Sequence, residues 1–151
     1  YRIAQEKIQF NPRVLIVPVG ATVAFPNLDK VRHHVYSFSP GNKFELKLYG
    51  RDETHSYSFQ KAGIAAIGCN IHDQMSAYIA IVDTPYAALT DAKGVAVLRD
   101  AAGSGELRVW RDDVRAPGNR IVQKMKLTQA DSSADISVEL RPASGSAHGM
   151  H

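Results

Sequence analysis

Short apolar runs, each broken within a few residues by proline, glycine or asparagine, fill the first half of this chain and force a β architecture. Residues 13–19 end at Gly20, residues 22–25 are stopped by Pro26-Asn27, and residues 34–38 are closed by Pro40-Gly41-Asn42. Residues 44–48 alternate apolar with charged side chains, and residues 55–59 lead to Gly63. Residues 64–67 then reach Cys69, and residues 77–82 close the series. Branched and aromatic residues favour extended backbone, while the proline and glycine between them set turns. Strands this short at this spacing predict an all-β, Greek-key sandwich whose edges are guarded by proline and lysine. No stretch of helical period is long enough to compete.

Asp83-Thr84-Pro85 reads as a hinge into a second segment. There Ala92-Lys93-Gly94 predicts a turn between strands over 86–89 and 95–98, followed by strands over 106–110, 121–127 and 136–140. A segment of about 57 residues is small for independent stability, so a smaller β-sandwich over 84–141, docked on the domain over 1–83, is expected. The last stretch, 142–151, is rich in Gly, Ser and Ala and is expected to be a flexible tail. His148, Met150 and His151 lie in it without fixed geometry. The expectation for them is disorder without a role, against the alternative of a weak second metal site.

Composition narrows the partners. The 151 residues carry a formal charge of +3 with both signs interspersed, which suits docking to an acidic partner. There is no concentrated Lys/Arg stripe and no nucleic-acid-reading motif, so nucleic acid is not expected. No apolar run approaches the ~20 residues of a membrane-spanning helix. The chain opens without a signal-like stretch, as expected of either a cytosolic protein or a processed, secreted one. Cys69 is the only cysteine, which excludes an intramolecular disulfide framework.

The chemistry concentrates at Gly68-Cys69-Asn70-Ile71-His72-Asp73-Gln74-Met75, which sets a thiol, an imidazole and a thioether at the spacing C-x2-H-x2-M. A further imidazole comes from His33-His34, at the start of an expected strand. Adjacent strand residues face opposite sides, so one of these two histidines, and not both, reaches a common point. Soft sulfur suits Cu(I) and imidazole suits both copper oxidation states, so such a set fits neither state's extreme geometry. A short loop delivers Cys69, His72 and Met75 to one ion only by folding around it, clamped by the apolar strands on either side. A lone cysteine in a β-protein is ordinarily a small core residue, and a lone methionine a core filler. Their spacing with His72 argues instead for ligands. His55, isolated on a strand, is expected at the surface.

On these residues, positions 8–83 resemble a cupredoxin of the plastocyanin–amicyanin type. The likeness rests on Phe59-x3-Gly63, Cys69 six residues later, C-x2-H-x2-M and the alternating strand that follows. The short gap before Met75 is similar to the amicyanin loop. In that family the first histidine ligand precedes a small polar and then an apolar residue; His33-His34-Val35 fits, so the resemblance implies His33, Cys69, His72 and Met75 around one copper ion. Asn70 stands where the family often has Thr or Ser, and Asp73 where amicyanin-like loops tend to have Pro. A carboxylate there is expected to favour Cu(II) and lower the potential. The chain is also similar to cupredoxin-like proteins of methylamine utilisation, which carry an added C-terminal segment. Residues 84–141 resemble a carboxypeptidase-regulatory or prealbumin-like sandwich through Thr90-Asp91-x2-Gly94 and Leu107-Arg108-Val109-Trp110.

The resemblance implies a periplasmic carrier, secreted with its signal peptide removed, that exchanges single electrons with transient redox partner proteins. The exposed edge of His72 would be the port, collared by Ile71, Pro26 and Pro40. A copper chaperone or store is the alternative, although one cysteine and three methionines are few for a Cu(I)-selective site. An enzyme is not expected. Cys–His catalysis needs an oriented base and an oxyanion site that nothing in the sequence supplies. A zinc site would leave Met75 without a purpose.

Overall fold

A computed structural model describes residues 1–69, 75–99, 101, 103–127 and 133–142, and these divide into two compact units between Val97 and Leu98. The first unit contains nine strands: β1 (Ala4–Glu6), β2 (Gln9–Asn11), β3 (Val14–Pro18), β4 (Thr22–Pro26), β5 (His33–Ser37), β6 (Phe44–Tyr49), β7 (Thr54–Ser58), β8 (Gly63–Cys69) and β9 (Ser76–Val82). Five of them form a sheet in the order β3-β9-β8-β5-β6, with β3 parallel to β9 and the other pairs antiparallel. The other layer is built from the antiparallel pairs β4-β7 and β1-β2. They are joined where Ile3 donates to the Ala24 carbonyl at 2.9 Å and Ala24 to that of Tyr1 at 3.0 Å.

Alternation along the strands creates the core. In β9, Ala77, Ile79 and Ile81 point inward; in β8, Ala65, Ile67 and Cys69 do so. Val17, Val23, Phe25, Val35 and Phe59 meet them, with Ile3 and Phe10 closing the cluster from the N-terminal hairpin. Each large aliphatic or aromatic side chain buried this way contributes about 1.5–3 kcal/mol. Phe44 stacks on Tyr57, centroids 4.3 Å apart, and lines the partly buried rim of the same core.

All seven strands read from the sequence in the first unit form, with bounds that differ by one or two residues at one or both ends. The N-terminal pair β1-β2 was not expected: its strands are three residues each, too short for a periodic signal.

The segment beyond residue 83 departs from expectation in three places. No strand forms over 86–89 or 95–98. Their side chains stay in water, Tyr86 at 48%, Leu89 at 52%, Val95 at 54% and Val97 at 63% exposure, so β propensity there finds no sheet to join. The turn between them does form. The Asp91 carboxylate accepts from the amides of Lys93 (2.8 Å) and Val95 (3.0 Å), with Gly94 at φ +80°. Residues 136–140 likewise form no strand but a single bridge, Leu140 to Val114. Among its described residues the second unit holds one antiparallel pair, β10 (Gly103–Trp110) with β11 (Arg120–Leu127), where two facing sheets were expected.

Candidate metal centre

The ends of three neighbouring strands carry three of the predicted donors, His33, Cys69 and Met75. Gly68 pairs with Ser76 across β8 and β9, so Cys69 and Met75 leave that ladder at the same end. On the other side of β8, Cys69 pairs with Val35 of β5. His33 lies two positions from Val35 and, by the strand period, on the same inward face. All three side chains are buried: His33 is fully enclosed, and Cys69 and Met75 are 2% exposed within one core cluster.

His33 Nδ1 stands 3.7 Å from Cys69 Sγ, and its other nitrogen, Nε2, lies 2.7 Å from Asp29 Oδ2. Nδ1 thus faces the sulfur while Nε2 faces the carboxylate. Metal-binding histidines are commonly oriented this way, by a carboxylate on the far nitrogen. His34 points to the other face, where it sits 3.4 Å from Glu45 Oε2 and edge-on to Tyr36. The structure therefore brings His33, and not His34, to Cys69.

Burial alone would raise the Asp29 carboxyl, but the His33 hydrogen bond and the amides of Ile8 and Lys7 outweigh it and hold the group below its ordinary value. Asn27, fully buried, fixes the loop that presents it. Its Oδ1 accepts from the Asp29 amide at 2.8 Å, and its Nδ2 donates to the carbonyls of Val31 (3.0 Å) and Tyr49 (2.9 Å). Tyr49 faces His33 across β5-β6, donates its hydroxyl to the Phe25 carbonyl at 2.6 Å, and receives Gln5 Nε2. Burial, reinforced by the charge of Cys69 and opposed by the Gln5 hydrogen bond, pushes the Tyr49 phenol upward.

Sequence reasoning missed Asp29 and Asn27. The only local sign was an acid four positions before His33, in a segment read simply as a strand stop. His72, with Asn70, Ile71, Asp73 and Gln74, lies outside the described residues, as do His148, Met150 and His151. Of the expected collar, Pro26 ends β4 beside the Asn27–Asp29 loop. Pro40 follows the far end of β5, beyond Ser37, and so belongs to the opposite end of the sheet. His55 is half-exposed, its ring 4.3 Å from that of Tyr49, in keeping with a surface residue.

Among the described residues no group of three or more His, Cys, Asp or Glu gathers to hold a metal ion. What is assembled is one thiol, one imidazole nitrogen aimed at it and one thioether, a donor set that fits a soft ion such as copper.

No family model and no curated protein matches this chain. Among solved structures it is similar to a copper-containing nitrite reductase (NirK) from Thermus scotoductus SA-01. The likeness covers 55% of this chain and 22% of that one, at 26% identity and a TM-score of 0.52. This chain thus spans about a fifth of the reductase's length. It is also similar to a reduced mutant of amicyanin, at 22% identity and a TM-score of 0.50 over 54% of this chain and 81% of that one. A purple cupredoxin from Nitrosopumilus maritimus, 20% identical, gives 0.48 over 54% and 98%. A match over 55% of the chain is longer than the whole second unit, so it draws on the first. The fold is cupredoxin-like.

Proposed function

We propose that the chain is a one-electron carrier in which His33, Cys69, His72 and Met75 hold a single copper ion. The observation that supports this reading best is the enclosed pair His33–Cys69, its imidazole already turned by Asp29 to offer Nδ1 at 3.7 Å from the sulfur. When bound, copper supplies the Cu(I)/Cu(II) couple. The protein's part is to keep the donors still. His33 is gripped between a carboxylate and the core, and Cys69 and Met75 sit at the ends of two strands joined by a continuous ladder. Packed interiors resist displacement, so little rearranges as an electron arrives or leaves.

Weak docking to redox partner proteins, through a contact below about 1,200 Å², suits a carrier that must release its partner quickly. A periplasmic setting belongs to the same proposal. Among the described residues, no helix is long and apolar enough to cross a membrane.

Adding Cu(II) to the metal-free protein is expected to produce an intense visible band, from thiolate-to-copper charge transfer, at one equivalent. A colourless product, or binding of Cu(I) alone, would favour storage and end the carrier reading. Met75→Leu is expected to keep the colour and raise the potential, since it removes the weak thioether donor of the proposed set while leaving its thiolate and imidazoles. Voltammetry beside the visible spectrum checks this. An unchanged potential would remove Met75 from the ligand set.

A further inference from the structure

We infer that the N-terminal hairpin turn decides which nitrogen of His33 carries the proton, acting through Asp29 as a positioning residue. The consequence for copper rests on the function proposed above; the proton arrangement itself does not.

The turn between β1 and β2 has both central residues, Lys7 and Ile8, at φ +55°. This is the left-handed pairing that matches the twist of a two-residue hairpin, unusual for a β-branched residue such as Ile8. It sends two consecutive amides to one side. The Lys7 N–H reaches Asp29 Oδ1 at 2.7 Å, and the Ile8 N–H reaches Oδ2 at 3.0 Å. Oδ2 also takes the His33 contact at 2.7 Å. The loop is tied to the same hairpin by the Leu28 amide, which donates to the Gln5 carbonyl at 2.8 Å. Backbone amides only donate. A side chain that must satisfy both with oxygen can meet His33 only as an acceptor, so the ring proton is held at Nε2 and Nδ1 turns its lone pair toward Cys69.

Asp29→Leu tests this at nearly constant volume. It removes both oxygens, so Nε2 loses its acceptor and nothing in the turn holds the ring proton there. In metal-free protein with 15N-labelled histidine, two-bond proton–nitrogen correlations report the tautomer directly. Wild type is expected to show Nε2–H and Asp29→Leu to lose that preference, with Asp29→Glu restoring it.

Copper affinity, measured by chelator competition, is expected to fall about 10–100-fold in Asp29→Leu and to recover in Asp29→Glu. Wild-type protein with its proton on Nδ1 overturns the inference without any variant. So does a folded Asp29→Leu that keeps the full Nε2–H preference. If that preference is present in wild type and lost in Asp29→Leu but wild type gives no copper band, the inference holds and the proposed function fails.

Discussion

Cys69→Ser is expected to abolish the copper-dependent visible band completely, while the protein still folds and melts cooperatively. The band needs a thiolate bound to Cu(II), and a serine hydroxyl supplies neither the soft sulfur nor its low-energy charge transfer. The fold should tolerate the change because serine is smaller than cysteine and the site lies at the end of β8, beyond its last pair with β9. Its cost is that of placing a hydroxyl at a position 2% exposed among Ile67, Ala77 and Met75, about 1–3 kcal/mol by mutational comparison. Two measurements on one sample separate the effects: thermal unfolding followed by circular dichroism, and copper titration followed in the visible range. A band that survives the substitution shows that the colour arises elsewhere.

What could be read from the sequence was whatever depends on near neighbours in the chain. The two-residue period over 33–37 was enough to say that His33 and His34 face opposite sides, and the strand does turn His33, Val35 and Ser37 inward together. The run over 77–82 announced its buried face in the same way. Asp29 was not legible for the converse reason. Its partners are amides more than twenty positions earlier, in a hairpin whose strands are too short to show a pattern. A carboxylate in a turn before a strand looks like any solvated acid until the fold places Lys7 and Ile8 against it.

The stretches over 86–89 and 95–98 show the opposite failure. Tyr, Leu and Val at those positions carry real preference for extended backbone. That preference is decided by cross-strand packing, and half-exposed side chains with no neighbouring strand cannot realise it. Pro40 was expected in the apolar collar at the copper end. Register places it instead beyond Ser37, whereas Val35, not Ser37, stands opposite Cys69.

The comparison of His33→Ala with His34→Ala should divide more sharply than any other adjacent pair in the chain. His34 is 15% exposed on the outer face, and its contact with Glu45, itself 45% exposed, is of the partly solvated kind that contributes at most about 1 kcal/mol. Its loss is expected to leave the visible band, the copper affinity and the potential unchanged. His33 is wholly enclosed, and its removal acts twice. It deletes a donor nitrogen facing Cys69, and it strips Asp29 of one of three hydrogen bonds while the two turn amides remain. The second effect is expected to lower stability by about 1–3 kcal/mol. The first should cost copper affinity more than the roughly 100-fold typical of losing a supporting residue, with collapse of the band. Adding imidazole separates the two, because a small ring entering the vacated space can restore colour without restoring the covalent link to β5. A His34→Ala protein that loses its band while His33→Ala stays coloured would reverse the assignment, and the inward face of β5 would then have no part in the site.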